Sequence, residues 1–430
     1  MSFVSNILSS WAKDEDDELW EVYHKLYGPA LELSFTFPSW RRSRLPLTLL
    51  IFGYYAIIFP FHIALLSVSI DCVRDDFNMA SMEFHFWMIF MFSSISILLM
   101  NSNRQSMMKL HRTLTIGVGK YKAGRIYNED YPVMLERKKP KQTIKFLFLP
   151  GLVMVLAGLT LLIPYVKNMD GTVEYNHRGA NMKLPIAACY PFPTHEGITY
   201  LLAVAGQFMA AGGLALVIAT LDLLLFRMTQ SVIFEYEVLI YALQTMSSRA
   251  KKLYRITYPN SNIKEVRTKD EAFQRCIGEC IRDCIVHHHD IIKIVKEYMN
   301  LVKWPGLLAY GFGTGVIGLS LVNILSAKEA GNYENIILFM LLMIAEVLNM
   351  FMISSFGEAI TTESKVLREQ LYFIDWPKLD TQNRKMMLNF QVGINNPVIL
   401  KVGGIVNVTL DTFSSIMNTS YSFFNLVNAQ

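Results

Sequence analysis

A row of polar side chains near the end of the chain is the feature that most directly suggests chemistry. The segment Val398–Val427 is largely apolar, with Lys401 near its start and Asp411 near its middle as its only charges. Its polar residues recur at alternating steps of four and three, which places them on one face of an α-helix. The members of this polar row are Asn407, Asp411, Ser414, Asn418, Tyr421 and Asn425.

A polar face on a membrane helix meets either a water-filled path or the polar surface of another helix. Hydrogen-bonded contact between packed helices is the simpler interpretation. The row favours a pore-lining helix, because it continues for about five turns and contains a carboxylate. In a narrow aqueous path that carboxylate would favour cations. Phe424 and Asn428 complete the predicted lining.

The start of this helix is predicted from local signals. Asn396 is a good N-cap and Pro397 suits the first turn, so we expect the helix to begin there. The 30 residues of Val398–Val427 would then extend for about 45 Å, enough to cross a bilayer and project beyond it.

Composition places the chain among polytopic membrane proteins. Of its 430 residues, 52% are hydrophobic and only 18% are charged. The net charge of +4 is small, so nothing indicates nucleic-acid binding. The N-terminal region is acidic and the first apolar run starts near Leu45, which indicates an uncleaved membrane anchor and not a cleavable signal peptide.

Seven apolar runs are long enough to span a membrane as helices. They are approximately Leu45–Ile70, Glu83–Met100, Phe146–Tyr165, Ile198–Phe226, Pro305–Leu325, Ile336–Phe356 and Val398–Val427. The predicted fold class is all-α, a seven-transmembrane helix protein with a cytoplasmic helical extension. Its parts are an N-terminal segment (1–44), spans one to four (45–226), a helical loop (227–304), spans five and six (305–357), a loop with a short helix (358–397) and the last span (398–430).

The distribution of lysine and arginine predicts the orientation. The N-terminal segment and the even-numbered loops hold 33 of these residues, whereas the odd-numbered loops and the C-terminal tail hold 5. Basic loops remain on the cytoplasmic side, so the N-terminus is predicted to be cytoplasmic and the C-terminus extracellular. This is the reverse of a G-protein-coupled receptor and counts against that class.

The long fourth loop is predicted to form two helices. Thr229–Arg255 continues the fourth span with apolar residues at helical spacing, and Thr268–Lys303 repeats the pattern after a turn. Their apolar faces need a partner, which a cytoplasmic helix bundle or a subunit interface would supply.

Cysteine and histidine residues raise the question of metal or disulfide chemistry. Cys276, Cys280 and Cys284 share a helical face just before His287-His288-His289, but the spacing is not that of a zinc site. Buried thiols are the favoured interpretation, and we predict no metal and no cofactor. Cys72 and Cys189 both fall outside the cell by the predicted topology, which permits a disulfide between them. Enzyme motifs are absent from the sequence.

The order and spacing of residues near the C-terminus resemble the insect odorant receptor family. The residues that carry the resemblance are Phe356-Gly357-Glu358, Glu363-Ser364, Tyr372, Trp376, Arg384, Asn396-Pro397, Lys401, Gly404, Phe413 and Ser420-Tyr421-Ser422-Phe423-Phe424. They cover about 70 residues. The rest of the chain agrees in layout only.

The resemblance implies a ligand-gated, non-selective cation channel of the olfactory neuron membrane. Members of this family assemble as heterotetramers with a shared co-receptor, and the last helix of each subunit lines the pore. The length of the fourth loop is that of a ligand-binding tuning subunit and not of the co-receptor. Phe423, Phe424 and Val427 are interleaved with Asn425 and Asn428, which departs from the aliphatic gate expected of the family.

The resemblance also implies an odorant pocket in the outer half of the bundle. Aromatic residues and methionine there suit a small, volatile, apolar ligand. The candidates are Phe84, Phe86, Trp87, Phe90, Tyr165, Tyr200, Phe208, Phe339 and Met343. Ordinary core or lipid-facing packing is the alternative for each of them. Glu346 is added because an intramembrane carboxylate is costly, although a hydrogen bond between helices would also explain it. A secondary transporter remains the alternative to a channel, but seven spans give no even inverted repeat.

Overall fold

The computed structural model describes residues 28–41, 43–119, 121–122, 175–259, 270–329 and 331–428, with positions 151, 152, 155, 158, 159, 162 and 166. The helices in these ranges are α1 (Gly28–Leu33), α2 (Leu45–Cys72), α3 (Phe77–Ser102), α4 (Arg104–Ile116), α5 (Gly197–Gln244), α6 (Met246–Thr257), α7 (Glu271–Glu329), α8 (Tyr333–Tyr372), α9 (Thr381–Gly393) and α10 (Leu410–Asn428). A 3-10 turn, Trp376–Lys378, precedes α9, and the strands β1 (Lys401–Val402) and β2 (Val406–Asn407) precede α10.

The all-α architecture is confirmed. Five helices of the described residues, namely α2, α3, α5, α7 and α8, are long and apolar enough to cross a membrane. The predicted first, second, fourth, fifth and sixth spans lie within them. The predicted third span, Phe146–Tyr165, lies largely outside the described residues.

Three of these helices are longer than a membrane requires. α5 has 48 residues, α7 has 59 and α8 has 40. In α7 the predicted loop helix and the fifth span form one helix that continues through Pro305. The excess length, together with α4, α6 and α9, forms a helical layer that we call the extension.

The apolar faces in the extension are buried within the chain. Ile281 of α7 is fully buried and Phe390 of α9 is 5% exposed. Arg249 of α6 ties the helices together: its guanidinium donates to the Ala242 carbonyl at 2.9 and 3.1 Å and to the Cys284 sulfur at 3.1 Å. The partner that these faces need is therefore largely the chain itself.

The last predicted span is wrong in its first part. Residues 396–400 are not helical, and β1 and β2 form an antiparallel hairpin with Lys401 opposite Asn407. Gly403 and Gly404 turn the hairpin, both with positive φ values of 62° and 79°. The helix starts at Leu410, where the Thr409 hydroxyl accepts a hydrogen bond from the Thr412 amide at 3.3 Å.

The opposite end of the bundle carries the disulfide. Cys72 at the end of α2 is bonded to Cys189 in the segment before α5, with a Cα–Cα distance of 6.6 Å. The Cys189 amide also donates to Ser69 Oγ at 3.0 Å, and the Asn176 side chain donates to the Cys72 carbonyl at 2.8 Å. This end of the bundle is called the disulfide end, and the end that carries β1 and β2 is called the hairpin end.

Candidate functional site

Two glycines allow the hairpin to lie against the bundle. A Cβ atom at Gly306 of α7 would overlap Val402, and one at Gly357 of α8 would overlap the Val408 backbone. The Gly403 amide donates to the Lys303 carbonyl at 2.8 Å, and the Val408 amide donates to the Leu400 carbonyl at 2.9 Å. The start of α10 is thus held by direct backbone contact with α7 and α8.

The two faces of α10 have opposite surroundings. Phe413, Ile416 and Met417 pack against the core, and Ser420 is only 5% exposed. The opposite face is exposed in the single chain and mainly polar along its described length. It carries Asp411, Ser414, Ser415, Asn418, Thr419, Tyr421, Ser422 and Asn425.

The predicted pore residues fall into four groups. Asp411, Ser414, Asn418, Tyr421 and Asn425 lie together on the exposed face, with Asp411 in the first turn and not near the middle of the helix. Asn407 is exposed but lies on β2, because the hairpin replaces the first part of the predicted helix. Phe424 is half-buried and stacks on Tyr421, with 6.4 Å between the ring centroids. The side chain of Asn428 is outside the described structure.

A small cavity at the disulfide end contains two of the predicted ligand residues. Phe86 and Phe90 of α3 line it with His62 of α2 and Gln207 of α5, around a volume of about 20 Å³. Gln207 is occupied by hydrogen bonds with the backbone of Ile186 at 2.8 and 3.0 Å. The cavity lies between α2, α3 and α5, next to the segment that carries Cys189.

His62 gives this cavity its chemistry. Its Nδ1 lies 2.8 Å from the Ile58 carbonyl, which can only accept, so Nδ1 carries the hydrogen. In the neutral ring Nε2 then holds a lone pair, and this buried atom has no hydrogen-bond partner in the described chain. Sequence reasoning missed His62 because a histidine in an apolar run has no distinguishing spacing.

The other predicted ligand residues do not line this cavity. Phe84 is 41% exposed and stacks on Trp87, whose indole nitrogen donates to Ser67 at 2.9 Å. Tyr200 and Phe208 pack against a separate apolar cluster around Leu184. Phe339 and Met343 of α8 belong to the main core, and Tyr165 is outside the described residues.

Three carboxyl groups lie within the first six predicted spans, among the residues that the structure describes. Glu346 of α8 approaches Gly313 of α7 closely and lines neither of the two described cavities. Glu83 of α3 is fully buried, and neither of its oxygens has a partner among the described residues. Asp222 of α5 is 4% exposed and lines a second cavity, at the hairpin end.

The cysteine and histidine residues of the extension have separate structural contacts. His287 bonds to Glu235 at 2.9 Å and to the Tyr121 hydroxyl at 2.6 Å, whereas His288 packs on the Phe390 ring. Burial raises the pKa of the Cys280 thiol to about 12 and that of the Cys284 thiol to about 11. The buried thiols are therefore protonated at neutral pH.

Comparison with known proteins gives the family. The sequence model described as 7tm Odorant receptor matches residues 75–421, most of the chain. The chain belongs to the odorant receptor family. The resemblance in its C-terminal residues is thereby confirmed, and the family is one of receptors.

Individual relatives match over shorter stretches. Odorant receptor Or2 of Anopheles gambiae is 26% identical over 153 residues, 34% of this chain and 38% of that protein. Odorant receptor 67a of Drosophila melanogaster is 22% identical over 203 residues, 47% of this chain and 45% of that protein. The chain thus aligns with less than half the length of these curated relatives.

A solved receptor structure has the same fold. The insect olfactory receptor OR5 from Machilis hrabei, in complex with eugenol, superimposes with a TM-score of 0.69 at 11% identity. The match covers 96% of this odorant receptor chain and all of the solved chain. The fold of this family member is therefore that of the insect olfactory receptors.

Proposed function

We propose that this chain is the ligand-binding subunit of a cation channel that a small volatile molecule opens, with a co-receptor supplying the other subunits. The observation that carries this proposal is the exposed polar face of α10. Its opposite, apolar face is packed within the same chain, so the polar face is left for water or for another subunit. One helix cannot enclose a water-filled path, and a ring of such helices from several chains can.

The charge on this face suits cations. Asp411 is the only charged residue of α10, and it lies in the first turn, next to the hairpin. A carboxylate at one mouth of a narrow path raises the local concentration of cations and opposes anions. The uncharged hydroxyl and amide groups that follow along the face would permit passage without holding an ion tightly.

The proposed ligand site is the cavity at the disulfide end. Its aromatic and aliphatic wall suits an apolar molecule, and the free His62 Nε2 suits a single hydrogen-bond donor such as a hydroxyl group. A volume of about 20 Å³ holds only one or two water-sized groups. Entry of a volatile alcohol would therefore widen the cavity and select a more open arrangement of α2, α3 and α5.

Helix α5 connects this cavity with the hairpin end. It lines the cavity at the disulfide end through Gln207 and Leu214, and the second cavity through Asp222. The second cavity is also lined by Val402 and Val408 of the hairpin segment. Movement of α5 would therefore reach the base of α10 through packed side chains.

The proposed location is the plasma membrane of an olfactory sensory neuron, with the N-terminus inside and the C-terminus outside. The excess of basic residues in the even-numbered loops supports this orientation. The cysteines support it independently. Disulfides persist in oxidising surroundings, and Cys72–Cys189 lies at the end opposite the extension, which holds the free thiols Cys276, Cys280 and Cys284.

The proposal is tested in cells that express the chain with a co-receptor. Whole-cell current is recorded while a panel of volatile alcohols is applied, and the reversal potential is measured in solutions of different cations. The proposal requires a ligand-evoked cation current that the co-receptor alone does not give, and an Asp411→Asn variant with weaker cation selectivity. Surface labelling of a tag after Gln430 on intact cells checks the orientation. A current that is independent of the ligand, or a tag that is labelled only after permeabilisation, would contradict it.

A further inference from the structure

The second cavity lies at the hairpin end, away from the proposed ligand site. It has a volume of about 60 Å³ and is lined by residues of α3, α5, α7, α8 and the hairpin segment. Its wall is almost entirely apolar and includes one carboxyl group, that of Asp222. No lysine or arginine is present among the described residues that line it.

Two polar atoms at this cavity lack a partner. Asp222 is 96% buried, and its Oδ2 makes no hydrogen bond with any described residue; the same is true of Asn349 Oδ1. By contrast, the Tyr298 hydroxyl, which also lies at the cavity, donates to the Leu225 carbonyl at 3.2 Å and contacts the Thr229 hydroxyl at 3.1 Å. Burial of an acceptor without a donor is costly, so these two atoms indicate a missing donor.

The missing donor should carry a positive charge. Glu346 lies one turn before Asn349 on α8 and places a second carboxyl group within the apolar spans. Arg227 does not neutralise these carboxyl groups, because it lies five residues after Asp222 and therefore on another face of α5. Its Cζ atom lies 5.9 Å from the centroid of the Phe226 ring. The site thus has a carboxyl group in an apolar wall with no basic side chain among the described residues that line it, and a cationic donor would allow that group to ionise.

We propose that this cavity binds a small alkylammonium ion. A volume of about 60 Å³ accommodates about four to six water-sized groups, which matches an amine of four to six heavy atoms. The ammonium group would donate to Asp222 Oδ2 and Asn349 Oδ1, and the alkyl chain would contact the apolar side chains of Val402 and Val408. Such an amine is protonated at neutral pH, like the lysine side chain with its reference pKa of about 10.4.

The position of the cavity gives it a regulatory role, and this part of the inference rests on the proposed channel function. The alkyl chain would fill the space between α5 and the hairpin that holds the start of α10. Occupancy would therefore change how readily the hairpin moves, without competition for the cavity at the disulfide end.

Binding is tested first without any channel assay. The purified full-length chain is titrated with butylamine and, separately, with butanol of the same number of heavy atoms, using saturation-transfer NMR to detect weak binding. Asp222→Asn keeps the shape of the side chain and removes its charge, and Ala309→Leu fills the cavity from α7. Glu83→Gln is the matched control, since Glu83 is also buried and without a partner in the described chain.

The expected result is butylamine binding that Glu83→Gln leaves intact and that Asp222→Asn and Ala309→Leu each weaken at least tenfold. Butanol binding should not respond to Asp222→Asn. If butylamine binding is absent, survives both cavity variants, or is lost in Glu83→Gln instead, the site does not exist.

Regulation is then measured as current with the co-receptor. Butylamine should change the maximal response to the activating ligand in the wild type and not in Asp222→Asn. Butylamine binding without any ligand-evoked current would contradict the proposed channel function and leave the amine site standing. Current with no butylamine effect, despite binding, would overturn the regulatory role.

Discussion

The backbone carbonyl of Val408 occupies the space that a Cβ atom at Gly357 would take. This contact joins the helix α8 to the residue that leads into α10. It explains why a glycine stands in the Phe356-Gly357-Glu358 sequence, where helix propensity alone would favour alanine. The position of α10 therefore depends on a close approach between the backbones of Gly357 and Val408.

Gly357→Ala should displace the hairpin and reduce ligand-evoked current sharply. The new methyl group meets backbone, which cannot move aside as a flexible side chain can, so the expected cost is about 1–3 kcal/mol. Gly315→Ala in α7 is the matched control, because a Cβ atom there has no atom within 4 Å. Current is compared at equal surface expression, and equal currents for the two variants would contradict this account of the hairpin.

Charge at the exposed apolar residues of α9 should prevent assembly with the co-receptor. Leu388 and Val392 are 52% and 76% exposed in the single chain, whereas Met387 on the other side of the helix is fully buried. Val392→Asp should leave the fold intact and abolish co-purification with the co-receptor. Asn389→Asp adds the same charge at an exposed polar position and should have no effect. Met387→Asp should instead lower expression, because it places a charge in the core. Normal co-purification of Val392→Asp would show that α9 is not part of the interface with the co-receptor.

Mild acid should destabilise the extension through His288. Burial, with the neighbouring His287 and His289, lowers the pKa of His288 to about 4, and burial lowers that of His111 to about 3. Since the unfolded chain takes up these protons near pH 6.5 and the folded chain does not, stability is full above about pH 6.5 and falls as the pH drops toward 4. The thermal unfolding midpoint should therefore decrease as the pH is lowered from 7.5 to 5.

The contribution of His288 can be isolated with two variants. His288→Leu should reduce this fall in the unfolding midpoint by about 2 °C, because one titrating group is removed while its packing on Phe390 is kept. His289→Gln, at the exposed neighbouring position, should reduce this fall less than His288→Leu does. The same pH dependence in both variants would exclude His288 as its source.

Removal of the His62 acceptor should weaken the response to alcohols selectively. In His62→Phe the half-maximal concentration of hexanol should rise about tenfold, since a lost hydrogen bond in a buried site costs about 1–1.5 kcal/mol. The half-maximal concentration of methyl pentyl ether, which has the same number of heavy atoms and no donor, should change little. Phe61→Leu, at the exposed neighbouring position, is the control. Equal shifts for both compounds would mean that His62 acts by packing alone.

The membrane helices could be predicted from the sequence because apolar runs of the right length have few alternatives. The first apolar run was predicted at Leu45–Ile70, and the helix is Leu45–Cys72. The continuity of α7 was missed, since Pro305 is expected to end or kink a helix in water. At the edge of a membrane bundle, neighbouring helices can support the backbone groups that a proline leaves free.

The start of the last helix shows how a local signal loses to tertiary contacts. Asn396 and Pro397 are residue types that often begin a helix. In the structure, however, the Val398 amide donates a hydrogen bond to Ser364 Oγ at 3.0 Å. Gly403 and Gly404 form the turn of the hairpin, and Asn407, which matches the helical spacing of the polar row, lies on β2. The residues that line the cavity at the disulfide end were the least predictable, because an aromatic side chain in an apolar run has the same pattern whether it lines a cavity or not.

Two serines of α10 allow a direct test of whether its exposed polar face lines a pore. Ser414 lies on the exposed polar face, and Ser420, on the same helix, is 5% exposed and faces the core. Serine-to-cysteine is a nearly isosteric change, so Ser414→Cys and Ser420→Cys differ mainly in the face that carries the thiol. Each variant is expressed with the co-receptor, and current is recorded before and after a charged, water-soluble thiol reagent. We expect the reagent to reduce current through Ser414→Cys and to leave current through Ser420→Cys unchanged. Equal reaction at both positions, or none at Ser414→Cys, would contradict a pore lined by this face.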